Sequence, residues 1–376
     1  MKQENSKPRL AFFGVKYFPS RGGVSRTTEH LIRELRDKFD ITIYCYRHPK
    51  AKDYLSGVRA IQMPRLGPGS IGVFPYFLMC YLHMLFFGRY DIVHLRKVDS
   101  AFFLPLIRIK FKKVLATSHE QPYLSTKWTA VARAYFMMNE RIYIKSPATL
   151  NAISKSLCVY YKKRYGRKVI YVPNGVNYLR EYNEKGAEEL LQNHKAGEGY
   201  IMWAARRVQA SKGLHVFMDA LQILDYKGEV LVAGEYTHDR EFMRDIENKP
   251  AYSKVKMIGY IADKALLLAL VRRARIFVFP SLSEGMSIML LEATGTGTPV
   301  ICSDIAPNTD VYDETEVLFF RNEDAWHLGE QLKWALDHPE EMAALTEKAK
   351  HRARNEYSGD NMVQRYEALY NKILEA

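Results

Sequence analysis

Cysteine is scarce in this sequence, and several other features are missing from it. The four cysteines lie far apart among 376 residues, with none of the spacings of a metal site or a redox motif. Such usage is typical of a reducing compartment. We find no Asp-x-Asp metal motif, no internal repeat and no low-complexity tract. The polar first residues run directly into an apolar segment, so we expect no signal peptide. These features favour a globular, cytoplasmic protein.

Long apolar runs are also missing. The most hydrophobic segment, residues 71–88, is interrupted by Pro75 and His83. It is short for a membrane span, which needs about 20 consecutive apolar residues. Its aromatic and methionine content suits either a core helix or an interfacial helix. We favour the core helix.

Acidic residues are few in the first half of the chain. Residues 1–175 contain 31 Lys and Arg but 10 Asp and Glu, a net charge of +21, whereas the remaining residues have a net charge of −8. This asymmetry indicates a polyanionic partner such as anionic lipid, a diphosphate-bearing acceptor or nucleic acid. One basic cluster contains Arg108, Lys110, Lys112 and Lys113, although a merely solvated surface remains an alternative. No nucleic-acid-binding motif accompanies these charges, so we expect no nucleic-acid partner.

Short apolar strands alternate with helical segments along the whole chain, which is typical of parallel sheets with crossover helices. The length favours two domains. Apolar content drops at about residues 173–198, where we expect the boundary. The predicted strands are Leu10–Gly14, Ile41–Tyr46, Ile92–Leu95, Val114–Thr117, Asn151–Ile153, Tyr200–Ala204, Glu229–Ala233, Lys254–Ile258, Ile276–Pro280 and Val300–Cys302.

Residues 276–303 are the most informative segment. An apolar strand leads into a polar turn with Glu284 and Gly285, and an apolar helix with Glu292 and a second strand follow. The N-terminus of such a helix can bind phosphate through free N–H groups and the helix dipole. We expect Glu284 in the loop and Glu292 two turns into the helix. The two carboxylates would then reach different hydroxyl-rich parts of one ligand, a sugar and a ribose.

This segment resembles the signature of the retaining glycosyltransferases of family four. The family pattern is E-G-x6-E-A followed by G-x-P-V, and it is matched here by Glu284, Gly285, Glu292, Ala293, Gly297, Pro299 and Val300. The resemblance implies the GT-B fold. In that fold two Rossmann-like parallel-sheet domains face each other across a cleft, and a C-terminal helix crosses back to the first domain.

Three other segments match the family in the expected order. Gly22 and Gly23 open a helical segment and resemble its donor-side glycine loop, although glycines there also suit an ordinary turn. Arg207 and Lys212 match the two basic positions that clamp the donor diphosphate. Arg206 stands where the family usually has glycine, so the turn differs or Arg206 points outward. Residues 172–176 resemble the connection that precedes the second domain.

His119 and Glu120 follow an apolar strand, where ligands bind in open α/β sheets. The family commonly has a histidine there, near the transferred sugar, although a structural histidine remains an alternative. The resemblance implies catalytic roles for His119, Arg207, Lys212 and Glu284, acceptor binding by His119, and donor binding by Gly22, Gly23, Arg207, Lys212, Glu284, Gly285, Met286, Ser287 and Glu292. Glu120 beside the histidine is unusual, and we expect it to bind the acceptor as well. Because two fixed cations and helix dipoles can neutralise the leaving diphosphate, we expect no metal.

We therefore predict an acceptor-side domain at residues 1–175, a nucleotide-sugar-binding domain at 176–356 and a returning helix at 357–376. The predicted function is retaining, metal-independent sugar transfer from a nucleotide-diphosphate donor, with no cofactor. The acceptor would be lipid-linked or a glycolipid, in cell-surface polysaccharide or glycoconjugate synthesis. The enzyme would lie on the inner face of the plasma membrane. A soluble acidic acceptor and a non-catalytic, membrane-binding GT-B-like protein remain alternatives.

Overall fold

The computed structural model describes residues 7–20, 22–67, 72–124, 128–237 and 239–376. Its strands are β1 (Arg9–Phe13), β2 (Asp40–Tyr46), β3 (Val58–Met63), β4 (Ile92–Leu95), β5 (Val114–Ser118), β6 (Thr149–Ala152), β7 (Ile170–Tyr171), β8 (Ile201–Arg207), β9 (Val230–Glu235), β10 (Val255–Gly259), β11 (Ile276–Phe279), β12 (Val300–Ser303) and β13 (Leu318–Phe320). Its helices are α1 (Gly23–Leu35), α2 (Val73–Phe87), α3 (Leu104–Lys110), α4 (Ala130–Lys145), α5 (Lys155–Tyr165), α6 (Glu184–Asn193), α7 (Leu214–Ile223), α8 (Arg240–Glu247), α9 (Lys264–Arg273), α10 (Ile288–Thr296), α11 (Ala306–Thr309), α12 (Ala325–Asp337), α13 (Pro339–Glu356) and α14 (Gly359–Glu375).

The chain divides into two compact units. The first unit comprises the residues up to Gly175 together with Gly359–Ala376, and the second comprises Val176–Ser358. The first unit has a seven-stranded parallel sheet in the order β3-β2-β1-β4-β5-β6-β7, and the second a six-stranded parallel sheet in the order β10-β9-β8-β11-β12-β13. The prediction of two parallel-sheet α/β domains is confirmed.

The terminal helix α14 belongs to the first unit. Its apolar side chains recur at helical spacing, and they pack against α1 and the interior strands β1 and β4. Tyr366 and Tyr370 are buried in this core with Leu10 and Phe12. The predicted return of the chain to the first domain is therefore confirmed.

The core of the second unit forms where helices cover both faces of its sheet. Ile201, Val278 and Ile301, one from each of three adjacent strands, are fully buried or nearly so. Leu328 of α12 and Phe217 of α7 pack against them in the same cluster. Runs of apolar residues in these strands are what a sheet buried on both faces requires.

All ten predicted strands are present, but the sequence analysis missed β3, β7 and β13. Each of the three lies at the edge of its sheet. Two of them are short, with two residues in β7 and three in β13, and β3 is mostly half-exposed. Edge strands need no continuous apolar run, so they give a weaker signal than central strands.

The prediction of a core helix for the hydrophobic segment is right for one face of α2 only. Ile71 lies outside the described residues. Tyr76, Phe77, Cys80 and Met84 are buried, but Phe86 and Phe87 are 70% and 75% exposed. Among the described residues, no helix has the length and apolar character that a membrane span needs.

Candidate functional site

The loop after β8 in the second unit has a geometry that only glycine permits at one position. A 3-10 turn, Ala210–Lys212, follows the strand, and Gly213 then starts α7 with φ of +72°. A methyl group on Gly213 would lie 1.7 Å from the carbonyl oxygen of Pro280, just after β11. The Lys212–Gly213 pair therefore holds the loop after β8 tightly against the loop after β11.

Lys212 and Glu284 meet as an ion pair at this junction. The Nζ of Lys212 lies 2.5 Å from the Oε1 of Glu284, and their side chains are 26% and 13% exposed. Two further hydrogen bonds fix the loop: the indole of Trp203 donates to the Lys212 carbonyl at 3.2 Å, and the Leu282 amide donates to Ser211 at 3.0 Å. The structure thus brings together two of the predicted site residues.

Arg207 ends β8 and lies opposite Glu235 of β9. Its Nε is 3.6 Å from the Oε2 of Glu235, and both side chains are more than two-fifths exposed. Its neighbour Arg206 is exposed, so the residue that replaces the usual glycine points outward. Pairing at this exposure is weak, which leaves the guanidinium available to an anion.

Helix α10 begins directly after the Glu284–Met286 turn. The Ser287 hydroxyl caps it by accepting a hydrogen bond from the Leu290 amide at 3.2 Å. The backbone N–H groups in the first turn of a helix lack intrahelical acceptors, and in α10 this turn directly follows Gly285, Met286 and Ser287. This is the arrangement that binds phosphate at helix N-termini.

Glu292 is the fifth residue of α10, so it lies about one turn into the helix rather than the predicted two. It is 4% exposed and accepts a hydrogen bond from the Nζ of Lys264, the first residue of α9. Sequence reasoning missed Lys264, because nothing in the sequence connects it with residue 292. A buried carboxylate of this kind needs such a cation.

In the first unit, Gly22 and Gly23 start α1. Gly22 has extended backbone with φ of −171°, and a Cβ on Gly23 would meet no atom within 4 Å. Glu29 holds the preceding loop by accepting a hydrogen bond from the Ser20 amide at 2.8 Å. Neither glycine has a backbone conformation that requires glycine, and among the described residues no atom would crowd a side chain at Gly23. A side chain at Gly23 would therefore be excluded only by a ligand that approaches the backbone.

His119 directly follows β5 and is 7% exposed. Burial lowers its pKa well below the usual range, and the positive charges of Arg96 and Lys97 lower it further. Its imidazole is therefore neutral at pH 7. Within the described residues, its buried Nε2 has no hydrogen-bond partner. His119 and the exposed Glu120 line the same cavity of about 590 Å³.

Arg96 is a buried charge that sequence reasoning missed. It follows β4, is fully buried, and donates hydrogen bonds to the hydroxyl groups of Thr27 and Thr28 on α1 and Tyr366 on α14. An Arg-Lys pair directly after an apolar strand was the available signal. Arg96 fixes the start of α1 and acts on the charge state of His119.

No cluster of three or more His, Cys, Asp or Glu with metal-binding geometry occurs in the described ranges of the chain. Lys212 and Lys264 are paired with the predicted donor-site carboxylates Glu284 and Glu292, whereas Arg207 at the end of β8 faces Glu235. Together with the start of α10, they can hold an anion and hydroxyl groups.

Two family models match the chain. Residues 21–179 match Glycosyltransferase Family 4, and residues 187–352 match Glycosyl transferases group 1. The two matches together take in most of the sequence. The chain belongs to the family-four glycosyltransferases. The resemblance that the motifs predicted is confirmed, and the protein is a glycosyltransferase with the GT-B fold.

The names of two similar proteins describe lipid-bearing substrates. This glycosyltransferase is 26% identical over 332 residues, 82% of each chain, to UDP-Gal:alpha-D-GlcNAc-diphosphoundecaprenol alpha-1,3-galactosyltransferase of Escherichia coli. It is 23% identical over 233 residues, 61% of this chain and 59% of the relative, to phosphatidyl-myo-inositol mannosyltransferase of Mycobacterium leprae.

Solved structures support the fold at low identity. Anabaena Alr3699/HepE in complex with UDP and glucose has a TM-score of 0.79 at 14% identity and covers 97% of this chain and 100% of its own. Sucrose-phosphate synthase of Thermosynechococcus elongatus has a TM-score of 0.80 at 18% identity, with 98% and 99% covered.

Proposed function

We propose that this glycosyltransferase moves a sugar from a nucleotide-diphosphate donor to a lipid-linked or glycolipid acceptor, in the synthesis of a cell-surface polysaccharide or glycoconjugate. The observation that carries the donor assignment is the Lys212–Glu284 pair beside the start of α10. A cation, a carboxylate and free helix N–H groups at one place suit a ligand that combines phosphate with hydroxyl groups.

Donor binding would exchange the partners of this ion pair. Lys212 would turn to the diphosphate and Glu284 to the sugar hydroxyls, so neither charge is left unpaired in either state. Arg207 and the α10 N–H groups would add positive charge on the leaving group. Glu292, which is paired with Lys264, would accept hydrogen bonds from the ribose.

The chemical step would then need a site that stabilises a departing diphosphate and a sugar with oxocarbenium character. Fixed cations and a helix dipole can supply this stabilisation without a metal. The leaving phosphate can take the proton of the acceptor, which attacks from the same face. The anomeric configuration would be retained, with the neutral His119 placed near the transferred sugar.

For the acceptor, two observations point to a membrane. The relatives named above act on a diphosphoundecaprenol and a phosphatidylinositol, and the first half of this chain has a net charge of +21. Basic side chains near an anionic leaflet contribute on the order of 1 kcal/mol each. We therefore propose peripheral association with the cytoplasmic face of the plasma membrane. A soluble acidic acceptor is the second candidate that this charge favours.

The donor proposal is tested by thermal shift with UDP, GDP and TDP sugars, each with and without EDTA. We expect one nucleotide class to raise the melting temperature equally under both conditions. The proton NMR spectrum of early product from an α-linked donor should show an α linkage. If no nucleotide sugar stabilises the protein, the donor assignment is wrong. A smaller stabilisation in EDTA would contradict metal independence. A β-linked product would contradict retention of the anomeric configuration.

A further inference from the structure

The cavity beside His119 has apolar lining residues together with a smaller set of charged and polar ones. Its volume is about 590 Å³, within the usual range for small-ligand sites. Most of its wall is apolar and comes from α2, α4 and the 3-10 segment Val98–Phe103. The main apolar contributors are Phe74, Phe102, Trp128, Tyr135 and Phe136.

The charged residues that line the cavity are balanced in charge. The Nζ of Lys16 lies 3.8 Å from the Oδ2 of Asp99. The negative charge of the same carboxylate raises the pKa of Lys97. Glu120 supplies a second carboxylate, and the Nε2 of the nine-tenths buried His119 has no partner within the described residues. Two cations against two carboxylates leave no excess charge for an anion, whereas hydroxyl groups can pair with all of these side chains.

The apolar wall continues onto the outside of α2. The rings of Phe74 and Phe102 are 5.4 Å apart and 39% and 37% exposed, so both belong to the cavity and to the surface. Phe74, Leu78, Leu82 and Phe86 are all exposed and recur every four residues. We call these four side chains the α2 stripe. It extends over about 18 Å of helix at 1.5 Å per residue.

The surroundings of the α2 stripe suit an anionic bilayer. Neither α2 nor α3 contains an acidic residue. The Nζ of Lys110 joins the two helices by donating a hydrogen bond to the Leu85 carbonyl at 2.5 Å. This contact brings the 71% exposed Ile109 and the cations of α3 to the end of α2. A large apolar patch with basic neighbours is typical of a membrane-contacting surface.

We propose that the cavity binds the hydrocarbon chain of an amphiphilic acceptor, which enters from the membrane along the α2 stripe. The hydroxylated head of the amphiphile would lie against His119 and Glu120, while the chain would lie against Phe102 and Trp128. This inference rests on the proposed function, because it assumes a membrane-bound acceptor. It adds that the protein, and not only the bilayer, holds the first part of the chain.

The test uses alkyl glucosides with chains of six, eight, ten and twelve carbons, each below its micelle concentration. Binding is followed by quenching of Trp128 by a bromine on the chain, with Trp128→Phe as the control for the other tryptophans. Affinity should rise roughly fourfold per methylene, the factor that corresponds to burying one CH₂, until the cavity is full. An affinity independent of chain length would overturn the proposal.

Two matched variants locate the binding. Ala132 lines the cavity, and Ala134 is exposed on the same helix and does not line it. Ala132→Trp should reduce the affinity for the ten-carbon glucoside by at least tenfold, whereas Ala134→Trp should leave it unchanged. Equal losses in two folded variants would show that the chain binds elsewhere.

The proposed function fails separately from this inference. Chain-length-dependent binding together with no transfer to any glycolipid acceptor would contradict the proposed acceptor class and leave the chain-binding cavity standing. Transfer to a glycolipid at rates that Ala132→Trp does not change, with binding independent of chain length, would contradict the cavity and leave the function standing.

Discussion

The two units present their candidate sites in opposite ways. In the second unit the charged side chains are paired with each other: Lys212 with Glu284, and Lys264 with Glu292. In the first unit the site around His119 is an apolar-walled cavity with a neutral imidazole. Charged residues at the spacings of a family pattern, such as Lys212, Glu284 and Glu292, are visible in a sequence, whereas a cavity assembled from apolar side chains is not. In the first unit, more of the candidate site can therefore be recognised only from the structure.

Removing the Lys212 charge should give the largest effect. We expect Lys212→Ala to reduce turnover by at least roughly a hundredfold, about 2.7 kcal/mol, because a charge-assisted contact to a departing diphosphate is strongest in the transition state. The rate of donor turnover at saturating donor, compared between Lys212→Ala and the unchanged protein, measures this loss. Lys227→Ala is the matched control, since Lys227 is exposed and forms an ion pair with the similarly exposed Asp225. Near-normal turnover in folded Lys212→Ala would remove Lys212 from the site.

Particular residues show how far the sequence could go. The Glu284-to-Val300 pattern predicted the strand–loop–helix–strand unit and the fold. It could do so because the two strands of this unit, β11 and β12, are buried and consist of continuous apolar runs. Lys264 and Glu235 were invisible, since their roles depend on which strands and helices lie side by side after folding. The α2 stripe was missed because its four-residue repeat lies in a helix that is apolar on all faces. A pattern cannot show which apolar face is covered.

The two carboxylates of the second unit should separate nucleotide binding from transfer. Glu292→Gln should weaken binding of the free nucleoside diphosphate about tenfold, or about 1.4 kcal/mol, since charge-assisted hydrogen bonds to ribose are lost. Glu284→Gln should leave that affinity nearly intact and reduce transfer. Calorimetry gives both affinities. Glu316→Gln, another buried acid that is paired with Arg352, is the control and should change neither. Equal losses in Glu284→Gln and Glu292→Gln would show that the two roles are misassigned.

Buried neutral histidines should make the first unit sensitive to acid. His94 is fully buried, and burial lowers its pKa well below the usual range, with the charge of Arg96 lowering it further. An unfolded histidine binds a proton at about pH 6.5, so the unfolded state takes up protons that the folded state does not. The free energy of unfolding should then fall as pH drops below about 6.5, by about 1.4 kcal/mol per pH unit for each such histidine.

His94→Gln should remove about one histidine's share of that slope, because glutamine does not titrate and can still pair with Tyr370 or Thr117. Urea unfolding at pH 7, 6 and 5 measures it. His351→Gln, at an exposed position, is the control. An unchanged slope in His94→Gln would mean that acid acts through other groups.

The smallest effect concerns single cations near the proposed membrane surface, and the structure limits which ones can be tested. Lys110 donates to the Leu85 carbonyl at the end of α2, and Lys113 donates to the Leu374 carbonyl near the end of α14 at 2.5 Å. Reversing either charge would disturb the fold as well as any membrane contact. Lys112 is exposed, and within the described part of the chain its one hydrogen bond is made by its backbone carbonyl, which accepts from Arg108. It is therefore the cation to remove.

Lys112→Gln should reduce affinity for vesicles of anionic lipid about fivefold, which corresponds to about 1 kcal/mol for one basic side chain at the surface. Lys185→Gln in the second unit, where the lysine side chain is 90% exposed, should have no effect. Raising salt from about 0.1 M to 1 M shortens the screening length from about 10 Å to 3 Å, so it should release most of the protein and abolish the difference between the variants. Flotation with neutral and anionic vesicles measures the effect of each variant and of salt. Equal binding to both kinds of vesicle, or to neither, would leave a soluble acidic acceptor as the better explanation for the basic half of this chain.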